Sequence, residues 1–425
     1  MTVPSDWDLI VVGAGPAGSA AAIAAKRENP DARVLLLDRA PLGRDKVCGD
    51  GIAPHAVAEL ELLGVSAVRP EEHVGRVRLV APGGGGAAAV TTSPGFVVPR
   101  AIFDARMLQA ALDAGVEFTV EKVQTLRQEP GAEKGDKPGK RGDPRAAASV
   151  TVNERYTAPV VIGADGSNSI VRRLIGQPAN RGRAMAVAIR GYAPTPPGIP
   201  LELTIRWDTQ RSGGLCYAWA FPVADGTTNI GYGLASSAVD RSRAHLIQRL
   251  ADLLPEYDLA GVTLTGHTLP LTVSRPCPAV GRVLLVGDAA SLINPFTGEG
   301  IYSAIASGAM AGRAAIAATM PARGAAVTNE ARGASVTNAA APDAAAARYS
   351  RELASRFSRQ HRQTTALYRI IDYPAVLNTV VRAAHADSRT FQRLLDVGLG
   401  DAAFTLADLA RFGRYAAARD RVPAA

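Results

Sequence analysis

The first forty residues contain the pattern that most limits the possible folds. DLIVVGAGPAGSAAAIAAK (8–26) has the character of an apolar strand, a glycine-rich turn and an alanine-rich helix, and ARVLLLDRA (32–40) is a second, uniformly apolar strand. Strands that are apolar on both faces are typical of a parallel sheet covered by helices, so this segment opens a βαβ unit. The chain is therefore predicted to be an α/β protein with a doubly wound, Rossmann-like sheet.

Three glycines in this unit have the spacing GxGxxG. Gly13 permits the tight turn, Gly15 lets the backbone approach a pyrophosphate, and Gly18 permits close packing of the helix on the strand. The free N–H groups at the helix N-terminus attract phosphates. Asp38, followed by Arg39, closes the second strand, where a carboxylate binds a ribose hydroxyl and disfavours a 2′-phosphate. The unit predicts a site for FAD or NAD, and a merely structural turn is the alternative.

Two later segments favour FAD over NAD because a domain that binds NAD alone has no use for them. VIGADGSNSIVRRLIG (161–176) and RVLLVGDAASLINPFTGEGI (282–301) place Asp165 and Asp288 just beyond buried strands, where strand carboxyl ends form a ligand crevice. Asp288 is expected to accept a hydrogen bond from a sugar-chain hydroxyl. The alternative is that both aspartates cap helices.

The order of these three motifs resembles the glutathione-reductase-like flavoproteins of the para-hydroxybenzoate hydroxylase type. The resemblance implies non-covalent FAD, with Asp288 on its ribityl or ribose part. It also implies that Asp165 and Gly166 lie near both FAD and the electron donor, NAD(P)H or another reductant. The helix that starts at GEGI is expected to direct N–H groups at the flavin ring, with contacts from Gly298, Gly300 and Ile301.

A more specific resemblance lies in CYAWAFPVADGTTNIGYG (216–233), which matches the YxWxFP…GxG motif of the geranylgeranyl reductase family. Strand alternation places Tyr217, Trp219 and Phe221 on one face, where they would bind an apolar substrate; Tyr217 and Trp219 are also the predicted catalytic residues. The core face of a sheet is the alternative. Flavin halogenases carry WxWxIP and an active-site lysine instead, which disfavours that activity.

The segment KVCGDG matches the CGxG turn of the same family. The resemblance implies that Cys48 and Gly49 lie at the reacting face of the flavin, the cysteine placing or protonating the substrate and the glycine allowing close approach. Lys46 is a candidate for lowering the pKa of Cys48. Arg100 opens a segment that resembles the family's RxxFDxxL and is expected to point toward the flavin, with a surface salt bridge as the alternative.

Composition excludes several other classes. The chain has 47% hydrophobic and 20% charged residues, which is typical of a globular protein, and a net charge of +8 whose Lys and Arg residues are dispersed without a nucleic-acid-binding motif. We therefore expect no nucleic-acid partner. Three scattered cysteines and the absence of ligand clusters argue against disulfides and against a metal. We expect a cytoplasmic protein with peripheral contact at the inner face of the membrane and no span.

The predicted organisation has four parts. They are a discontinuous FAD-binding domain (1–72, 97–170 and 275–320), a substrate-binding β-sheet domain (73–96 and 171–274), a low-complexity insertion (321–344) and a helical C-terminal region that could close a tunnel (345–425).

The predicted function is reduction of C=C double bonds in an isoprenoid chain by hydride transfer from FADH₂. Geranylgeranyl diphosphate, a quinone side chain, a membrane lipid and a specialised metabolite all fit as substrates. The first alternative is an FAD-dependent monooxygenase that hydroxylates or epoxidises a small molecule with NAD(P)H and O₂. The second is a non-catalytic flavin-binding protein.

Overall fold

The computed structural model describes residues 5–41, 43–129, 149–209, 216–235, 240–319, 343–368, 370–371 and 373–417. The strands in this part of the chain are β1 (Ser5–Asp6), β2 (Leu9–Val12), β3 (Val34–Asp38), β4 (Gly51–Ile52), β5 (His73–Val80), β6 (Gly86–Val97), β7 (Glu117–Val120), β8 (Leu126–Gln128), β9 (Val150–Val152), β10 (Tyr156–Ala158), β11 (Val161–Gly163), β12 (Met185–Pro194), β13 (Leu203–Trp207), β14 (Tyr217–Pro222), β15 (Thr227–Ala235), β16 (Thr265–Pro270), β17 (Ala279–Val280) and β18 (Val283–Leu285). The α-helices are α1 (Pro16–Glu28), α2 (Pro54–Leu62), α3 (Arg100–Asp113), α4 (Ile170–Leu174), α5 (Arg243–Leu253), α6 (Ile301–Thr319), α7 (Asp343–Leu367), α8 (Pro374–Ala386), α9 (Ser388–Leu399) and α10 (Leu406–Ala417).

A six-stranded sheet forms the first layer, in the order β17-β18-β11-β2-β3-β7. Its five strands from β18 to β7 run parallel, and β17 joins the edge antiparallel. Strands β2, β3, β11 and β18 are wholly buried, as their uninterrupted apolar sequences predict. The predicted α/β class with a doubly wound sheet is confirmed.

Helices α1 and α6 pack tightly against each other because glycines leave no side chain between them. A Cβ atom on Gly308 would lie 2.1 Å from the Ala17 carbonyl oxygen, and one on Gly312 would lie 2.1 Å from that of Ala21. In the described part of the chain, α6 alone has the length and apolar composition of a membrane span, but 83% of that stretch is buried inside the protein. It is a core helix.

An eight-stranded sheet forms the second layer, in the order β16-β12-β15-β14-β13-β5-β6-β4. It is antiparallel except for the parallel pair of β13 and β5. Helix α5 covers one face through a core that contains Ala218, Ala220, Ile230 and Tyr232. The opposite face borders the site described below. Strand β4, which lies within the predicted FAD-binding segment 1–72, pairs with β6 at the edge of this sheet.

The C-terminal helices divide between the two layers. Helix α7 packs on α6, and the Tyr349 hydroxyl donates a hydrogen bond to the Leu285 carbonyl at 2.6 Å, so α7 belongs to the parallel-sheet core. Val381 on α8 and Phe391 on α9 pack instead with Leu79 of the antiparallel sheet. A small sheet, β1-β10-β9-β8, was not predicted. Most of the predicted insertion 321–344 lies outside the described residues.

Candidate active site

A cavity of about 1100 Å³ lies between the carboxyl end of the parallel sheet, one face of the antiparallel sheet and helices α8–α10. Its lining includes the segment 46–50, Arg100, Asp288 and the start of α6. Its apolar lining comprises Val77, Leu79, Leu203, Ile205, Leu367, Ile371, Leu377, Leu395, Val397 and Phe412. The cavity therefore joins the predicted cofactor residues to a long apolar space.

The structure places Tyr217, Trp219 and Phe221 together on the cavity face of β14. Between them, Ala218 and Ala220 point to the opposite core and are 0% and 3% exposed. The Tyr217 hydroxyl donates a hydrogen bond to the Thr297 carbonyl, just before α6. Strand alternation thus produces the aromatic row, and a tyrosine fastens it to the other layer.

Glycines make room for this row. Gly231 lies opposite Trp219 in the β14–β15 ladder, and a Cβ atom there would stand 2.1 Å from Cζ2 of the indole. A Cβ atom on Gly49 would lie 3.2 Å from both Cε2 of Phe221 and Nε1 of Trp219. The Cβ direction of Gly49 faces these aromatic side chains, and its close approach to a flavin ring stays a prediction.

Cys48 borders the cavity beside Arg100 and is partly buried. Burial raises the pKa of its thiol, although Arg100 and, more weakly, Lys46 act in the opposite direction. Lys46 does act to lower this pKa, as predicted, but burial outweighs it; the Lys46 Nζ itself lies 2.9 Å from Oδ2 of Asp288. Cys48 is a protonated thiol at neutral pH.

Arg100 is only 3% exposed, so the alternative of a surface salt bridge does not hold. Its Nε and one terminal nitrogen each donate to Asp104 at 2.7 Å, one helical turn further along α3. Burial disfavours its charge, but Asp104 raises the pKa of the guanidinium above its usual value. Arg100 contributes a fixed positive charge next to Cys48.

The GxGxxG turn has the features that a dinucleotide requires. Gly13 has φ +107°, and a Cβ atom on Gly18 would lie 1.7 Å from the Gly13 carbonyl oxygen, so turn and helix are in direct contact. Gly15 stands at the N-cap of α1 without a side-chain cap, and the nearest atom to a Cβ there would be 3.9 Å away. This open, uncapped helix end fits a pyrophosphate.

The neighbouring strand end has the features expected for the adenosine side of FAD. Oδ2 of Asp38 accepts a hydrogen bond from the Ala14 N–H at 2.8 Å, and Oδ1 accepts one from the Ala40 N–H at 3.0 Å. Arg44 approaches the same carboxylate at 3.6 Å, and Arg39 is exposed beside the crevice. The turn and this carboxylate together fit FAD.

The two later aspartates have different environments. Asp165 accepts hydrogen bonds from the Ser169 hydroxyl at 2.5 Å and from the Ile170 and Val171 N–H groups at 2.6 and 3.1 Å. It therefore caps α4, which was the alternative interpretation, while the adjacent Gly166 is open, with no atom near its Cβ direction. Burial raises the pKa of Asp165.

Asp288 stays ionised. Burial acts to raise its pKa, but Lys46, together with Arg100 and His267, outweighs that effect and holds the pKa below its usual value. A Cβ atom on Gly300 would lie 3.5 Å from Oδ1 of Asp288, which places this carboxylate against the predicted flavin helix. Gly298 has φ +66° and, like Gly300 and Ile301, lines the cavity.

Three polar residues of this region were not predicted. Glu299 lies between the predicted glycines, accepts a hydrogen bond from the Tyr302 N–H at 2.6 Å, and has its pKa raised by burial to about 8. His267 lines the cavity, with Nε2 2.9 Å from the Ser167 hydroxyl. Asp50 is fully buried, and burial raises its pKa to about 6. Glu299 could have been found from its place inside the motif; His267 had no local signal.

His55, near the N-terminus of α2, is partly buried. Its ring packs 5.6 Å from that of Tyr302, a Cβ atom on Gly400 would lie 2.5 Å from it, and Nδ1 is buried. The apolar face of α2 meets α6 at this point.

Comparison with known proteins agrees with this geometry. Residues 6–327 match the family model described as an FAD binding domain. Menaquinone reductase of Mycolicibacterium smegmatis is 33% identical over 324 residues, covering 72% of this chain and 75% of that protein. Digeranylgeranylglycerophospholipid reductase 1 of Methanopyrus kandleri is 31% identical over 329 residues, covering 74% and 81%. The chain belongs to the geranylgeranyl reductase family of FAD-dependent oxidoreductases.

A solved structure extends the likeness to the whole chain. The geranylgeranyl bacteriochlorophyll reductase-like protein of Thermoplasma acidophilum superposes with a TM-score of 0.73 at 21% identity, covering 97% of both chains. The predicted family, fold class, cofactor FAD and enzyme class are confirmed. The roles of individual residues of this geranylgeranyl reductase-like enzyme stay predictions.

Proposed function

We propose that the enzyme reduces C=C double bonds of an isoprenoid chain held in the large cavity. One observation carries the proposal. The same cavity is lined by Cys48 and the start of α6, by the aromatic row, and by aliphatic side chains of α8–α10. Such a shape suits a long apolar substrate, with a reacting carbon placed at the cofactor. The names of the two curated relatives also support a prenyl-lipid or quinone substrate.

Residues on both sides of the crevice would hold FAD. The Gly13–Gly18 turn would bind its pyrophosphate, Asp38 its adenosine ribose and Asp288 its sugar chain. When bound and reduced, FAD supplies the hydride for the reaction. The positive side of the site is provided by Lys46 and Arg100, and the N-terminus of α6 adds N–H groups at the flavin end.

The protein's side chains would supply a proton to the substrate and exclude water from the cavity. The Cys48 thiol remains protonated at neutral pH and borders the cavity, so it can donate a proton to the second alkene carbon. Trp219 has its Nε1–H bonded to Asn229 at 3.0 Å, and therefore turns no polar atom toward the substrate. The hydroxyl of Tyr217 is likewise committed to Thr297. The aromatic row thus presents apolar ring surface to an isolated alkene, and the Cys48 thiol at the same cavity can give up its proton.

The charged residues that line the cavity favour a substrate whose isoprenoid chain enters the cavity while its polar head group stays outside it. Within the described lining, the only cations other than histidine are Lys46 and Arg100, and each is paired with a carboxylate, Asp288 and Asp104 respectively. A diphosphate drawn into the cavity would find no unpaired cation there. We therefore favour a prenyl chain on a quinone or a phospholipid over a free prenyl diphosphate.

The mouth of the cavity fits contact with a bilayer. Ile370 and Leu409 line the cavity and are also 47% and 46% exposed, and Leu406 on the same helix as Leu409 is 85% exposed. Residues 343–425 contain 13 arginines against 8 acidic residues. Exposed apolar side chains beside an excess of arginine are typical of surfaces that bind anionic lipid interfaces. A lipid substrate would then enter without crossing water.

The proposal is tested by anaerobic turnover of reduced, FAD-loaded protein with a menaquinone and with a digeranylgeranyl phospholipid. A product whose prenyl side chain is heavier by two hydrogens is expected; for menaquinone the ring is reoxidised in air before mass spectrometry, because reduction of the ring to the quinol also adds two hydrogens. Cys48→Ala and Trp219→Ala should retain FAD and lose most turnover, whereas Cys277→Ala, which alters an exposed cysteine, should behave as wild type. Dependence on O₂ with incorporation of an oxygen atom would instead establish the monooxygenase. Unchanged rates in both site variants would overturn the assigned roles.

A further inference from the structure

One buried amide connects the cysteine loop to the aromatic row. Asn229 on β15 is 0% exposed. Its Nδ2 donates to the Cys48 carbonyl at 2.9 Å and to Oδ2 of Asp50 at 2.7 Å, and its Oδ1 accepts from Nε1 of Trp219 at 3.0 Å. The partners in the loop are 181 and 179 residues distant in sequence. Asn229 does not border the cavity, so it touches the residues that do.

Asp50 determines which way this amide points. Its Oδ2 accepts hydrogen bonds from both Asn229 and the Tyr192 hydroxyl, and its backbone has φ +63°. A carboxylate only accepts hydrogen bonds, so the NH₂ end of Asn229 must face it. The amide oxygen of Asn229 then faces the indole N–H, so the hydrogen-bonding capacity of Asp50 determines the orientation of the amide.

The position of Asn229 in the sheet explains why one side chain reaches all three partners. It lies opposite Phe221 on β14 and opposite Tyr192 on β12, two residues before Gly231 on the same face of β15. Arg190, the next residue on that face of β12, binds the same Cys48 carbonyl at 3.2 Å. The loop is thus held from two strands, while the Nε1–H of Trp219 has Asn229 as its one hydrogen-bond partner among the residues that the structure describes.

We propose that Asn229 is the positioning residue that fixes the Cys48 thiol and the Trp219 ring relative to each other, with Asp50 setting the orientation of its amide. The inference rests on the proposed function, because it assigns a purpose to the placement of the proton donor against the substrate wall. Arg190 also holds the Cys48 carbonyl, but among the described residues Asn229 is the one that bonds both this carbonyl and the indole. A shift of about 1 Å at such a site can reduce a rate by about a hundredfold.

The first test is Asn229→Asp, which keeps the shape but removes both donated hydrogen bonds. The new carboxylate would stand against Asp50, so the two must share a proton, as close carboxylates do. The charged or titratable groups facing Asp50 are Cys48, Arg100, Arg190 and Tyr192. We expect FAD retention, a fall in kcat of about tenfold or more with a smaller change in KM, and a loss that deepens as pH rises. The control Tyr192→Phe leaves every bond of Asn229 intact and should cost much less.

A compensating variant separates positioning from mere folding. In Asp50→Asn with Asn229→Asp, the new amide at position 50 can donate to the new carboxylate at 229, which removes the clash of charges and the alkaline loss. A flat pH profile with kcat still below wild type supports the proposal, because the carboxylate at 229 still cannot donate to the Cys48 carbonyl. Wild-type kcat and pH profile in Asn229→Asp alone would overturn it.

A spectroscopic readout keeps the inference testable without turnover. The chain has three tryptophans, so ¹⁵N-indole labelling of FAD-loaded protein gives a small set of Nε1–H signals that Trp→Phe variants assign. The Trp219 signal should shift in Asn229→Asp, where its acceptor becomes a carboxylate, and should change little in Tyr192→Phe. If no signal moves, the proposed link is wrong, whatever the substrate proves to be. If the signal moves but no prenyl substrate is reduced, the proposed function is wrong instead.

Discussion

A methyl group added at Gly231 provides a sharp test of why the GxG motif is present. In Gly231→Ala, the new Cβ would stand 2.1 Å from Cζ2 of Trp219, whereas ordinary contacts begin near 3.4 Å. The ring would therefore have to retreat by about 1.3 Å, a cost of about 1–3 kcal/mol by analogy with overpacked cores. It has little freedom to do so, because its Nε1–H is bonded to Asn229 and its edge meets Gly49.

The matched control is Gly233→Ala in the same motif. Its Cβ would meet Ala188 at 3.5 Å and the Trp219 ring at 3.8 Å, which are ordinary contacts, and neither glycine has a positive φ. Denaturant unfolding, FAD content and steady-state turnover should be measured on both variants. We expect Gly231→Ala to lose stability and most turnover while Gly233→Ala stays near wild type. Equal effects in the two variants would refute the steric reasoning.

Three further predictions follow from buried and exposed groups elsewhere. Burial raises the pKa of Glu299 from 4.5 to about 8, so Glu299 ionises in the unfolded chain before it ionises in the folded protein, and the free energy of unfolding falls as pH rises between these values. Glu299→Gln should remove this loss and therefore raise Tm more at pH 7.5 than at pH 5. An equal change in Tm at both pH values would contradict the prediction. Asp38→Ala should weaken FAD retention about tenfold, measured by flavin release, while the exposed control Asp31→Ala should not. Leu406→Glu should abolish sedimentation of the protein with phosphatidylglycerol vesicles and leave its FAD content unchanged. The control Val120→Glu, on β7 of the parallel sheet, should still bind the vesicles. Vesicle binding by both variants would place the lipid-binding surface elsewhere.

The sequence alone predicted the local structure where an alternating strand pattern or a glycine determines the backbone conformation. The turn at Gly13 and the alternation of β14 depend on neighbouring residues only, and the structure shows both as expected. The conclusion that Tyr217, Trp219 and Phe221 share a face needed only the period of a strand.

Interactions between distant segments could not be predicted from the sequence. Lys46 stands two residues from Cys48, yet its ammonium pairs with Asp288, 242 residues away. The pKa of Cys48 follows from burial between two layers, which no local pattern reports. Asn229 is an ordinary polar residue in a strand until the fold brings the loop at 48–50 beside it.

Helix α7 shows the same limit at the level of architecture. Its sequence indicates an amphipathic helix, as do the sequences of α8–α10, but Tyr349 and Phe357 pack with the parallel sheet instead of over the cavity. A helical period specifies that a face is buried without specifying its partner. The grouping of 345–425 into one region therefore follows chain order more closely than packing.

The most direct test of the central claim is an anaerobic single turnover. FAD-loaded protein would be reduced photochemically, mixed with one equivalent of a polyprenyl quinone, and followed by flavin absorbance and mass spectrometry. We expect reoxidation of the flavin together with a side chain heavier by two hydrogens, in a reaction that needs no O₂. Reoxidation that occurs only when air is admitted, with an unaltered side chain or an added oxygen atom, would contradict it.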